Sequence, residues 1–165
     1  PTPETCPQPV TEAVRRGGAS AIYHVLDEPD VERIMRHPQT MIASDGRLSS
    51  PGNGHPHPRA YGTFPRILGR YVRERNVLTL ESAIHKMTGM PAATLRLSDI
   101  GVVRTGARAD LTIFNADSVV DRATFKEPHQ YPTGIPYVIV NGTLAVDSGR
   151  FTGARAGRVL RRGRP

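Results

Sequence analysis

The sequence predicts an α/β chain: a helix-rich stretch carrying parallel strands, followed by a small β region. Three observations predict it. Residues 20–45 read strand, helix, strand, the order of a parallel crossover unit. Residues 64–97 carry apolar positions at helical spacing. After residue 100 the period shortens, and Asn141-Gly142 stands between two apolar runs, a hairpin signal because both turn residues take positive φ.

The elements follow in order. Four prolines in residues 1–9 predict coil. Thr11–Arg16 is a short helix stopped by Gly17-Gly18. Ser20–Leu26 reads as a buried strand. Asp27-Glu28-Pro29 starts a helix with acids and proline in its first turn. Val31, Ile34 and Met35 form its apolar face, and His37-Pro38 ends it. Thr40–Ala43 is a second apolar strand. Two parallel strands make no stable sheet, so this unit needs strands from elsewhere. Gly46–Gly62 is a long Pro-, Gly-, Ser- and His-rich loop, of a length uncommon unless the loop is functional or disordered. Phe64–Arg75 is a helix, Thr79 caps another that Gly89 ends, and Pro91 opens a short one to Leu97. Asp110–Phe114, Tyr137–Val140 and Thr143–Val146 are strands.

The chain has 165 residues and a net charge of +7. No apolar run approaches the roughly 20 residues that span a bilayer, which excludes a helical membrane protein. A single cysteine, Cys6, excludes an internal disulfide framework. The expected location is the cytoplasm, since no targeting segment opens the sequence. The chain begins Pro-Thr-Pro rather than with Met, consistent with a piece of a longer protein. Five of the 20 arginines (Arg155, Arg158, Arg161, Arg162 and Arg164) lie in the last 15 residues, and setting them aside brings +7 to +2. The body is nearly balanced. A basic tail can bind phosphates, but no aromatic stripe of the kind that stacks on bases accompanies it, and nucleic acid is not the expected partner.

Ser44-Asp45-Gly46 is the first candidate site. An acid directly after a buried parallel strand lies where active sites of barrels and open sheets gather. Asp45 is equally compatible with a helix cap or a plain loop acid. His55-Pro56-His57-Pro58-Arg59 is the second. Residues two apart in extended chain share a face, so His55 and His57 resemble a metal pair, although a third ligand is missing. Arg59 can clamp a carboxylate with its forked guanidinium, and is otherwise a surface arginine. His24 reads as a satisfied strand residue and His85 as a partner for helix-end carbonyls. His37 and His129 precede prolines without any constellation. Cys6 lacks a positioned base. No P-loop, dinucleotide, nucleophile-elbow or zincin motif occurs.

Taken together, the motifs resemble the C-terminal part of the N-acyl-D-amino-acid deacylases (D-aminoacylases) of the metal-dependent amidohydrolase superfamily. The resemblance rests on Thr40-Met41-Ile42-Ala43-Ser44-Asp45-Gly46, His57-Pro58-Arg59, Gly62-Thr63-Phe64-Pro65-Arg66 and His85-Lys86-Met87-Thr88-Gly89-Met90-Pro91-Ala92. It continues through Gly106–Leu111, Ala123-Thr124-Phe125, Tyr137–Gly142 and Thr152–Arg155. The Gly-x-x-Ala-Asp-Leu piece is shared across the superfamily; Gly-Thr-Phe-Pro-Arg is specific to this branch. The resemblance implies the C-terminal part of a (β/α)8 barrel followed by part of a small β-sandwich. Residues 1–100 would hold the last barrel strands and helices, 101–150 the partial sandwich and 151–165 the basic tail. It implies zinc-dependent hydrolysis of N-acyl-D-amino acids. Asp45 would be the catalytic acid–base close to the metal, and Arg59 would help bind the substrate carboxylate. The main metal ligands would lie in the missing N-terminal segment of the same enzyme, so neither Cys6 nor the His55/His57 pair takes their place. The alternative is a truncated, non-catalytic fragment that binds a partner through strand edges or its basic tail.

Overall fold

Residues 7–18, 22, 25–48 and 50–161 are described by a computed structural model. Among these residues five α-helices precede a four-stranded sheet: α1 (Pro7–Arg15), α2 (Glu28–Arg36), α3 (Arg59–Arg66), α4 (Leu80–Met87) and α5 (Gly89–Thr94). A π-helix (Ile67–Glu74) continues α3 without a break. The strands are β1 (Leu111–Ile113), β2 (Tyr137–Val140), β3 (Thr143–Asp147) and β4 (Arg150–Phe151).

The helical layer is organised around one core. Met35 of α2, Ile67, Leu68 and Tyr71 of the π-helix, Val77, Leu78, Ala83 of α4 and Val119 are buried together. Helix α2 begins as expected, with Asp27 at its N-cap, Pro29 in its first turn and Glu28 and Asp30 at its positive end. The Thr79 side chain accepts a hydrogen bond from the Ser82 N–H at 3.2 Å and caps α4. A chain of charges ties the layer together. The Arg70 guanidinium donates to Glu28, Arg75 to the buried Glu32, and Arg66 to Asp121 at 3.1 Å. Burial opposes the charge on Glu28, but the Tyr71 hydroxyl and the Arg70 guanidinium outweigh it and hold the carboxyl below its ordinary range. Burial, reinforced by Glu28, raises the Tyr71 hydroxyl above its ordinary range.

The sheet is antiparallel throughout, in the order β1-β2-β3-β4. Leu111 pairs with Ile139 and Val140 with Thr143, and the β2–β3 register shifts between Val138 and Ile139. Asn141 and Gly142 have φ of +50° and +80°, the double positive turn expected of this dipeptide. Ser148 and Gly149 repeat the device at +51° and +78° and add β4, which the sequence reading left out.

The long connection from β1 to β2 returns to the helices. Val119, fully buried, lies between Gly69 and Gly134. A Cβ on Gly69 would lie 2.7 Å from the Val119 carbonyl oxygen, and one on Gly134 2.6 Å from the Val119 Cα. The Arg73 guanidinium donates to the Ala116 and Val119 carbonyls, the latter at 2.7 Å. Val120 and Thr133 exchange backbone bonds just beyond.

Several expectations are corrected. Thr40–Ala43 pairs with no strand among the described residues, and no parallel ladder forms there. It keeps the alternating exposure of a strand: Thr40, Ile42 and Ser44 are half-buried, while Met41, Ala43 and Asp45 are exposed. Its backbone finds a helix partner instead of a neighbouring strand. Ser20–Leu26 falls largely outside the described residues; Val25 and Leu26 are in no strand and are exposed. Pro7–Pro9 belong to α1 rather than to coil. The long loop ends at Pro58 because α3 starts at Arg59, not Phe64. Gly62 argued against helix on propensity, but a Cβ there would come within 3.0 Å of the Asp121 side chain, so close packing decides the residue.

Candidate active site

Asp45 stands at the end of the extended segment that follows α2. Its φ of +46° is left-handed, a conformation aspartate tolerates better than most residues. The Ser44 hydroxyl accepts from the Gly46 N–H at 3.3 Å, which tightens the turn. Gly46 lies against the start of α3: a Cβ on it would be 2.8 Å from the Ala60 Cα. The chain thus crosses over the N-terminal turn of α3 immediately after Asp45.

The same turn delivers Arg59. Its Nε donates to the Asp45 carbonyl at 3.0 Å, and an Nη lies 2.8 Å from the Asp45 Oδ2. The two residues singled out from separate motifs are therefore joined by two contacts. Both face solvent, with the Asp45 side chain 88% exposed. The pair is a carboxylate and a guanidinium side by side on an open surface.

The His55 and His57 rings are both engaged within the chain. The His55 Nε2 donates to the Phe125 carbonyl at 2.7 Å. The His57 Nδ1 accepts from the Arg59 N–H at 3.0 Å, and its ring meets Phe125 edge-on at 5.2 Å. The pair fixes the loop against residue 125. Among the described residues no group of three or more His, Cys, Asp or Glu side chains could hold a metal ion. Cys6 and His24 lie outside the described residues.

Two residues matter more here than their sequence context suggested. His129, expected to carry no constellation, accepts from the Gly52 N–H and meets the Tyr61 hydroxyl at Nδ1, and donates from Nε2 to the Gly54 carbonyl at 3.0 Å. It anchors the tip of the Gly46–Pro58 loop. A cavity of about 310 Å³ lies beside it, lined by Arg47, Leu48, Pro51, Ala60, Tyr61 and Tyr131. Lys86 is buried at 4% exposure on the inner side of α4. It stands in one of the quoted motifs without a role. The available signal was its rarity, as one of two lysines in an arginine-rich chain, together with its position three residues after the buried Ala83.

Residues 4–146 match a family model described as "Amidohydrolase family". The chain belongs to this amidohydrolase family. A curated relative, N-acyl-D-glutamate deacylase of Alcaligenes xylosoxydans xylosoxydans, is 48% identical over 153 residues, covering 93% of this chain and 30% of its own length. A D-aminoacylase structure whose binuclear metal centre has been dissected superposes with a TM-score of 0.81 at 44% identity, covering 92% of this chain and 34% of that one. The N-acyl-D-glutamate deacylase of Bordetella bronchiseptica, with zinc and a phosphonate mimic of the tetrahedral intermediate, superposes at 0.78 and 42% identity, covering 90% of this chain and 33% of that one. The amidohydrolase resemblance read from the motifs is thus shown. Zinc and binuclear metal sites belong to those relatives. The chain spans about 30% of the length of the curated relatives it matches. No helix among its described residues is long and apolar enough to cross a membrane.

Proposed function

We propose that this chain is the C-terminal part of a zinc-dependent N-acyl-D-amino-acid deacylase. Residues 1–100 belong to the last part of its (β/α)8 barrel, 101–150 to a partial β-sandwich and 151–165 to a basic tail. The zinc ligands come, on this reading, from the segment that precedes this chain in the whole enzyme.

In the reaction a water oxygen attacks the acyl carbonyl carbon, and the C–N bond breaks to give a carboxylate and a D-amino acid. The Asp45 carboxylate takes the proton from the attacking water and gives it to the leaving nitrogen. The Arg59 guanidinium binds the carboxylate of the amino-acid part through parallel N–H···O bonds. The observation that carries the reading is the pairing of Asp45 with Arg59. In an N-acyl amino acid the scissile nitrogen and the α-carboxylate are attached to the same carbon. A proton-transfer group and an anion clamp for such a substrate must also be neighbours, and here they touch at 2.8 Å. A substrate carboxylate competes for Arg59 and leaves Asp45 free to accept a proton.

The test uses the complete polypeptide that contains this chain, with N-acetyl-D-amino acids as substrates. Asp45→Asn should lower kcat by about a thousandfold or more, as expected for a lost proton-transfer group. Arg59→Met should act mainly on KM. Near-wild-type turnover by Asp45→Asn would overturn the assignment of Asp45.

A further inference from the structure

Lys86 is a buried cation whose hydrogen bonds go to backbone carbonyls. Its Nζ donates to the His37 carbonyl at 2.5 Å and the Thr40 carbonyl at 2.9 Å. Its own carbonyl accepts the Ile42 N–H at 3.1 Å. A single residue of α4 therefore grips the C-cap of α2 and, on either side of Met41, the segment leading to Asp45. Burying an ammonium is costly unless its donors are satisfied, and carbonyls at the negative end of a helix are favourable partners. Lys86 occupies this position at 4% exposure.

The consequence lies in the register. Exposure alternates from Thr40 to Asp45, with Ile42 against the core and Asp45 facing out. Because side chains in extended chain have a period of two, a slip of one residue sends every side chain to the opposite face. Lys86 holds this segment from the helix side, at Thr40 and at Ile42.

We propose that Lys86 is a positioning residue: it sets the register of the segment 37–45 and thereby the direction in which Asp45 points. The proposal rests on the reading of Asp45 as the proton-transfer group.

The test uses the complete polypeptide that contains this chain. Lys86→Met removes the ammonium and keeps the length of the side chain; Lys86→Arg keeps a buried donor. Lys86→Met should lower kcat by about tenfold or more with KM within about twofold, and Lys86→Arg should recover part of the loss. In an Asp45→Asn background Lys86→Met should cost less than about twofold in the residual rate, because residues acting as a unit are non-additive. Hydrogen exchange of the residue 40–42 amides should accelerate in Lys86→Met more than that of amides within α4. An unchanged kcat, an equal loss in both backgrounds, or unaltered exchange at residues 40–42 overturns the proposal. The two readings fail differently. Near-wild-type turnover by Asp45→Asn removes the role of Asp45 itself, whereas an inactive Asp45→Asn with additive losses removes only that of Lys86.

Discussion

Every helix from α2 to α5 buries at least one residue, whereas the four strands from Leu111 to Phe151 bury only Ala145. The helical region closes a core completed by Val119, and arginine–carboxylate contacts lace it, from Arg66 at the end of α3, Arg70 in the π-helix and Arg75 just after it. The strands are held by their ladder and by turns with positive φ, and their side chains face outward or lie half-covered. The two regions meet where the β1–β2 connection inserts Val119 into the helical core. The contrast separates two jobs. Helical packing fixes Asp45, Arg59 and Lys86, while the β region reaches the site through its loops, by Phe125 and His129.

The contrast can be broken most severely at the join. Gly134→Val places a branched side chain at a φ of +80° and against the Val119 backbone. It should cost about 3–4 kcal/mol in strain and overpacking, measured as the stability lost in denaturant unfolding. A loss below about 1 kcal/mol would show that the join yields easily. The next test compares one residue from each region. Leu68→Ala in the helical core should cost about 2–3 kcal/mol through the cavity it leaves. Leu144→Ser on an exposed strand position should cost less than about 0.5 kcal/mol. Equal losses would erase the distinction. The smallest effect is expected in the charge network. Glu28 has a folded-state pKa depressed below its unfolded value, so its stabilisation is present above the ordinary glutamate range and is lost as pH falls through the folded value. The difference in Tm between the chain and Glu28→Gln should therefore be constant near neutral pH, start to shrink as pH falls into the ordinary glutamate range of about 4.3, and vanish once pH passes below the depressed folded value. A difference that grows on acidification would reverse the assigned sign.

Much of this fold was legible because local signals agree with the packing. Asp27 and Pro29 marked the start of α2, Thr79 that of α4, and Asn141-Gly142 the β2–β3 turn. Legibility failed where tertiary contact overrode local preference. Gly62 suggested loop but is helical because Asp121 leaves no room for a side chain. Thr40–Ala43 has a strand's composition and alternation, yet a ladder needs a second strand, and its bonding partner is α4. At the site, the motifs supplied Asp45 and Arg59 but not their contact, which depends on Gly46 crossing the first turn of α3. Lys86 and His129 were illegible for a shared reason. Each bonds mainly backbone atoms distant in sequence, and such partners leave no pattern in residue types.

The π-helix has a consequence for how such a sequence can vary between lineages. Arg75 donates its N–H to the Arg70 carbonyl five residues back, so each wide turn stores residue count that an α-helix would not hold. Removing one residue from Ile67–Glu74 would return the segment toward α geometry. It would also change the rise and the rotational phase between everything before it and everything after it. Arg66 would swing away from Asp121, and Arg59 would turn with it while Arg73 kept its hold on the Val119 carbonyl. Insertions and deletions should therefore be purged from this segment and be better tolerated in the Gly46–Pro58 loop, away from Gly52, Gly54 and His55, which His129 and the Phe125 carbonyl hold.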